Sequence, residues 1–238
     1  LIQYAVEEAI SGGIDTLIFI TGKNKRAIED HFDRNLELEN VLLKNGDQEK
    51  AIMVKNIPPD GVECVFVRQS EQLGLGHAVL CAERVVGDEP FAVILADDFI
   101  IETERTHLKQ LIMNYNKTGK NQLSVIKVKG SEISKYGVIV PSSDGKDVIG
   151  LVEKPVFGEH PSDLASIGRY VLTPEIFGSL RSINPGFKNE VQLADALNEQ
   201  ASIGKVDMLR FNGTRFDCGT VNGFVEATQF VAKSRKII

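Results

Sequence analysis

Residues 68–98, RQSEQLGLGHAVLCAERVVGDEPFAVILADD, confine this chain to a small set of folds. Two glycines, Gly74 and Gly76, open a helix, Gly87 stops it, and a wholly apolar strand from Phe91 to Leu95 follows. An apolar run without polar alternation is the mark of a strand covered on both faces, as in a parallel sheet flanked by helices. That strand delivers two acids, Asp97 and Asp98, just beyond its carboxyl end, where open α/β sheets bind their ligands. The stretch reads as a site for something anionic that needs a metal ion.

The rest of the chain repeats the alternation. Apolar residues at 1, 2, 5, 6, 9 and 10 make one helical face ended by Gly12-Gly13, and Thr16 to Ile20 is a short buried-type strand. In a fold of this class a strand and a loop are expected ahead of that first helix. Residues 24–55 read as helix with an interruption, Pro58-Pro59-Asp60-Gly61 as a turn, and Val62 to Val67 as the next strand. Thr106 to Lys117 is a helix and Leu123 to Val128 a strand. Shorter β segments over 137–140, 148–152 and 166–172 predict an antiparallel or mixed patch covering one end of the sheet. A short helix from Pro174, an amphipathic one over 189–201, a strand over 206–211 and a closing helix over 221–235 complete the pattern. The expectation is an α/β fold, a Rossmann-like doubly wound mixed sheet with a small antiparallel β patch, in one domain over residues 1–238.

Composition removes several function classes. No apolar run approaches the roughly 18 residues of a membrane span, and LIQYAVEEAI carries acids where an export leader would be basic. A net charge of -6 argues against nucleic acid, whose phosphate backbone is bound by basic surfaces. Three scattered cysteines, Cys64, Cys81 and Cys218, suit neither a disulfide framework nor a zinc site, and a reducing cytoplasm is expected. Histidines 31, 77, 107 and 160 are spread over different elements and give a hydrolase triad no support.

The remaining candidates suit chemistry at phosphorus. Mg²⁺ takes one or two carboxylates plus phosphate oxygens and water, so an acid at a strand end is a natural ligand. Asp97 is favoured over Asp98 because successive strand side chains face opposite ways. Gly74 and Gly76 let backbone approach a ligand closely, although a plain turn is the commoner meaning of two such glycines. His77 reads as a packing or helix-start residue. Glu153-Lys154-Pro155 ends an apolar strand; Lys154 suits a phosphate and Glu153 sugar hydroxyls, against the commoner reading of a surface ion pair. Asp217, in RFDCGT, would be a second metal carboxylate or the cap of the helix after it. Glu190, Gln192 and Asp195 cluster at the start of a helix, and Arg169 is a partner for an acid or an edge-strand charge.

Taken together, LIQYAVEEA, IEDHFD, VRQ, LGLGHAVLCA, VVGDEPFAVILADD, YGV, VEKP, IGRYVL, NEVQLADAL and FDCG resemble, in order and over nearly the whole chain, the bacterial UTP-glucose-1-phosphate uridylyltransferases of the sugar nucleotidyltransferase group. The resemblance implies Mg²⁺-dependent transfer of a uridylyl group from UTP to glucose 1-phosphate, giving UDP-glucose and pyrophosphate. It implies that Gln69 and Gly74 face the uracil and that Gly76 and His77 line the nucleotide pocket. Asp97 and Asp217 would hold Mg²⁺. Gly137, Glu153 and Gly168 would contact glucose, with Lys154 on its phosphate and Arg169 and Gln192 as further sugar-side residues. A homo-oligomer is expected, with no nucleic-acid or membrane partner. The family's glycine-rich triphosphate loop, with its preceding strand, would come ahead of Leu1. Ala96, Asn189 and the extra acid Asp98 depart from the family pattern. A sister transferase using dTTP, CTP or ATP, or a non-catalytic paralogue, are the alternatives.

Overall fold

The computed structural model describes residues 1–57, 60–102, 106–145, 147–186 and 189–237, so Pro58 and Pro59 of the expected turn lie outside the described residues. Helix α1 (Ile2–Ser11) buries Val6 and Ala9 and leads into β1 (Thr16–Thr21). β1 pairs in parallel with β2 (Glu63–Arg68), Thr16 opposite Glu63 and Thr21 opposite Arg68. Their connection holds three short helices, α2 (Arg26–Phe32), α3 (Leu36–Lys44) and α4 (Gln48–Lys55). Helices α5 (Leu75–Cys81) and α6 (Glu83–Val86) precede β3 (Phe91–Ile94).

A strand the sequence pattern did not foretell follows. β4 (Asp98–Ile101) begins at the second acid. Then come α7 (His107–Thr118), β5 (Asn121–Lys127), β6 (Gly137–Pro141), β7 (Val148–Glu153) and β8 (Leu164–Leu172). The chain closes with α8 (Glu175–Ser182), α9 (Leu193–Ser202), β9 (Val206–Arg210), β10 (Thr214–Asp217) and α10 (Val221–Ser234).

The main sheet runs β7-β6-β8-β5-β9, with β3 also on β8. It is mixed: β5 is parallel to β9 and antiparallel to β8, and β8 is antiparallel to both β3 and β6. All nine residues of β8 are buried, which makes it the centre of the sheet. The core beside it is built from Leu123, Val125, Ile139, Leu172, Ile176 and Leu197. The expected antiparallel patch is present at one end of the main sheet, where β6 is antiparallel to both β7 and β8. Segments 137–172 belong to the main sheet, and the small separate antiparallel sheet is β4 with β10, Asp217 opposite Asp98.

Among the described residues β1 pairs only with β2 and β3 only with β8. The facing flanks of β1 and β3 border an apolar cavity of about 790 Å³, lined by Val6, Leu17, Phe19, Val79 and Val93 and reaching Asp97. No helix among the described residues is long and apolar enough to cross a membrane.

One buried charge ties the layers together. Arg169 on β8 is 2% exposed and grips both oxygens of Glu8 on α1, at 2.7 and 2.8 Å. Its Nη1 donates to the carbonyls of Leu95 and Gly168 at 3.1 and 3.0 Å. Removing one partner of a buried pair leaves the other charge without compensation. Glu8→Ala is expected to lower the unfolding free energy by about 3–5 kcal/mol in urea titration, and a loss under about 1 kcal/mol would show that Arg169 finds its compensation elsewhere.

Candidate active site

The two acids after β3 have opposite fates. Asp97, in the turn between β3 and β4, is exposed, and Asp98, the first residue of β4, is buried. Asp98 Oδ2 accepts the Gly168 N–H at 2.5 Å, and Oδ1 accepts from Arg215 Nε. Both its oxygens are thus committed within the protein, and the free acid is Asp97.

Asp217 ends β10 beside it. The cap of α10 is Thr220, whose hydroxyl accepts the Gly223 N–H at 3.1 Å, so Asp217 is not consumed as a helix cap. The Cys218 N–H donates to the Asp97 carbonyl at 2.8 Å and locks the two loops together. A Cβ on Gly219 would lie 3.1 Å from Asp217 Oδ1 and 3.3 Å from Asp97 Oδ2. Both carboxylates therefore border one small space that a methyl group would fill. Asp97 and Asp217 are the two acids at this space that could share a metal ion completed by phosphate oxygens and water.

The residues expected on the nucleotide side gather at the end of β2. Gln69 continues the β1–β2 ladder, its N–H donating to the Thr21 carbonyl at 2.8 Å. Its side-chain Nε2 donates to the Gly74 carbonyl at 3.2 Å and lies 3.0 Å from His77 Nδ1. The glycines have a packing cause. Gly74 has φ +93, and a Cβ there would sit 2.8 Å from the Val191 carbonyl oxygen. Gly76 donates its own N–H to that same oxygen at 2.8 Å, and the Val191 N–H returns to the Leu73 carbonyl at 2.8 Å. The Gly76 N–H is thus spent on the 190–191 segment, a correction to reading both glycines simply as backbone left open to a ligand.

The 190–191 segment carries the other side of the site. Gln192 Nε2 donates to Glu190 Oε2 at 2.8 Å, at the entry to α9. Gly137 pairs with Glu153 across β6 and β7, and a Cβ on Gly137 would meet Glu153 Oε2 at 3.1 Å. Burial raises the Glu153 carboxyl above its ordinary value against the lowering effect of Lys154, with Asp195 and Glu190 adding to the rise. Lys154 Nζ is 3.4 Å from Glu153 and well exposed, and its backbone turns through φ 47, with its N–H on the Tyr136 carbonyl at 2.9 Å.

Two sugar-side candidates are engaged in the core. Arg169 has four of its five N–H groups bound to Glu8, Leu95 and Gly168, which fits its reading as the partner of an acid. Gly168 gives its N–H to Asp98 and its carbonyl to the Leu95 N–H at 2.8 Å. A Cβ there would lie 2.5 Å from Leu95 Cβ, so Gly168 is needed for the close passage of the residues after β3. Arg215, which binds Asp98, and Tyr136, whose hydroxyl Arg215 holds, lie within RFDCGT and YGV but were given no role from the sequence. The available signal was the two-residue spacing of Arg215 and Asp217, which puts both on one face of a strand.

A nucleotidyl transferase family model matches residues 1–234. The chain is 44% identical over 234 residues to the UTP–glucose-1-phosphate uridylyltransferase of Pseudomonas aeruginosa, covering 97% of this chain and 84% of that protein. It is 47% identical over 232 residues to the protein of the same name from Staphylococcus epidermidis, covering 95% of this chain and 79% of that one. Among solved structures it is similar to an apo UDP-glucose pyrophosphorylase, with TM-score 0.91, 41% identity and coverage of 98% of this chain and 87% of that one. It is also similar to the UTP-bound enzyme of Acinetobacter baumannii, with TM-score 0.89, 35% identity and coverage of 97% and 81%.

The raised Glu153 carboxyl sets a direction in pH. Its folded pKa lies above the ordinary 4.5, so its stabilising contribution is complete below that value and is lost as pH rises through the folded pKa. Glu153→Gln, with no charge to bury, is expected to gain stability relative to the parent between acid and neutral pH. Urea midpoints of both proteins across that range would check it; a constant difference would show that the carboxyl ionises without cost.

Proposed function

This chain belongs to the nucleotidyl transferase family, and on that footing we propose that it transfers the uridylyl group of UTP to glucose 1-phosphate, releasing pyrophosphate and UDP-glucose. The observation that carries the reading is the meeting of Asp97 and Asp217 around Gly219, with Asp97 also lining the cavity that α5 borders. The choice of uridine and glucose rests on the relatives of that name, at 44–47% identity over nearly all of this chain.

In this reading a phosphate oxygen of glucose 1-phosphate attacks the α-phosphorus of UTP, a new P–O bond forms, and the bond to the pyrophosphate oxygen breaks. No proton acceptor is required, because the attacking oxygen is already anionic. Asp97 and Asp217 would hold a Mg²⁺ ion, which when bound neutralises charge on the phosphates. Lys154 brings a point charge to the sugar phosphate and orients the nucleophile. Gln69, with Gly74, Gly76 and His77, presents the base side of the site. Glu153, Gly137 and Gln192 border the sugar.

Asp97→Asn and Asp217→Asn are each expected to lower Mg²⁺-dependent turnover by about 10²–10³-fold, the scale of several kcal/mol of lost charge stabilisation. Pyrophosphate release with the intact enzyme, with and without chelator, measures it. Either variant keeping its metal-dependent rate would remove that acid from the metal site. A panel of UTP, dTTP, CTP and ATP tests the base: UTP is expected to be preferred, and preference for another nucleotide would move the chain to a sister activity.

A further inference from the structure

We propose that Arg215 is a positioning residue for this transfer: it fixes Tyr136, and through Tyr136 the sugar-phosphate side of the site, relative to the Asp97–Asp217 pair. The proposal rests on the reading of function given above. Arg215 lies on β10 two residues before Asp217, and its side chain is 13% exposed. Nε is bound to Asp98, the neighbour of Asp97. Nη1 donates to the Tyr136 hydroxyl at 2.8 Å, and the guanidinium carbon lies 5.0 Å from the centre of the Tyr136 ring. The tyrosine is thus held at its hydroxyl and over its ring face.

Tyr136 in turn supports the residues that border the sugar phosphate. Its carbonyl accepts the Lys154 N–H at 2.9 Å, and the next residue, Gly137, pairs with Glu153. Lys154 has φ 47, a region sparsely populated by residues with a side chain, so its conformation depends on what fixes its backbone. The Lys154 N–H is bound to the Tyr136 carbonyl. A continuous chain of contacts therefore runs from the strand end that carries Asp97, through Asp98, Arg215 and Tyr136, to Lys154. Only a planar fork serves both Asp98 and Tyr136; a lysine ammonium on its shorter reach would keep the first and give up the second.

The test uses the intact enzyme with Tyr136→Phe, Arg215→Lys and the double variant. Tyr136→Phe keeps the ring and removes only the hydroxyl that Arg215 holds. It is expected to raise KM for glucose 1-phosphate by about three- to tenfold, the worth of one such hydrogen bond, with KM for UTP and the unfolding midpoint unchanged. Arg215→Lys should give the same selective rise, and the double variant should be no worse than Arg215→Lys alone. Equal rises in both KM values, additive losses, or a Tyr136→Phe enzyme kinetically identical to the parent would overturn the proposal. If Arg215→Lys does not fold, Tyr136→Phe alone decides it. A parent enzyme that makes no UDP-glucose would instead overturn the functional reading, and this proposal with it.

Discussion

The Asp98 carboxylate joins the main sheet to the small antiparallel one. One oxygen takes the Gly168 N–H from the central strand of the main sheet, and the other takes Arg215 from the small sheet. Without that carboxylate, β4 and β10 would have no charged tie to β8. The arrangement depends on the absence of a side chain at Gly168, since a Cβ there would collide with Leu95 and crowd Asp98 itself. A buried carboxylate is tolerable because both its oxygens have donors. The consequence reaches the site: Asp98 is anchored inward, and Asp97, in the turn just before it, is left exposed on the side of Asp217.

Charge is distributed over the molecule in two styles. Arg169 and Arg215 are shielded from water and spend their forks on paired, structural contacts with Glu8 and Asp98. Lys154, by contrast, stays exposed beside a partly buried Glu153. Arginine suits the first task because its planar donors match a carboxylate and neighbouring carbonyls at once, and a mobile ammonium suits a phosphate that comes and goes. His107 shows the same separation of structure from chemistry. Burial and the Arg169 charge hold it down to about 4, and its Nε2 is 2.6 Å from Ser124 Oγ in the core. It is a neutral packing group, in keeping with the absence of a triad from the sequence pattern.

Glycine positions explain why the loop motif reads ambiguously from sequence. Gly74 and Gly76 stand where Val191 crosses within hydrogen-bonding distance, so a segment more than a hundred residues later dictates their identity. Gly219 has no such neighbour in the backbone; what its missing side chain leaves open is the space between two carboxylates. The same residue type thus serves close packing in one loop and ligand room in another, and only the neighbours distinguish the cases. The 190–191 crossing also brings Glu190 and Gln192 to the nucleotide-side loop, which makes the two halves of the site a single packed unit.

The sequence alone determined the α/β class, most strands and helices to within a few residues, and the family, because apolar periodicity and local motifs are properties of short segments. It could not determine the β4–β10 pairing, since Asp98 to Ile101 is too short and too apolar to be told from the end of the preceding strand. Nor could it show that Arg169, which looked like a sugar-side residue, is consumed by Glu8 at the far end of the chain. The division of labour between Asp97 and Asp98, and the meeting of Asp97 with Asp217, were decided by tertiary structure. Those relations depend on which strand lies beside which and in what register, and a period of two residues along one strand carries no information about its neighbour.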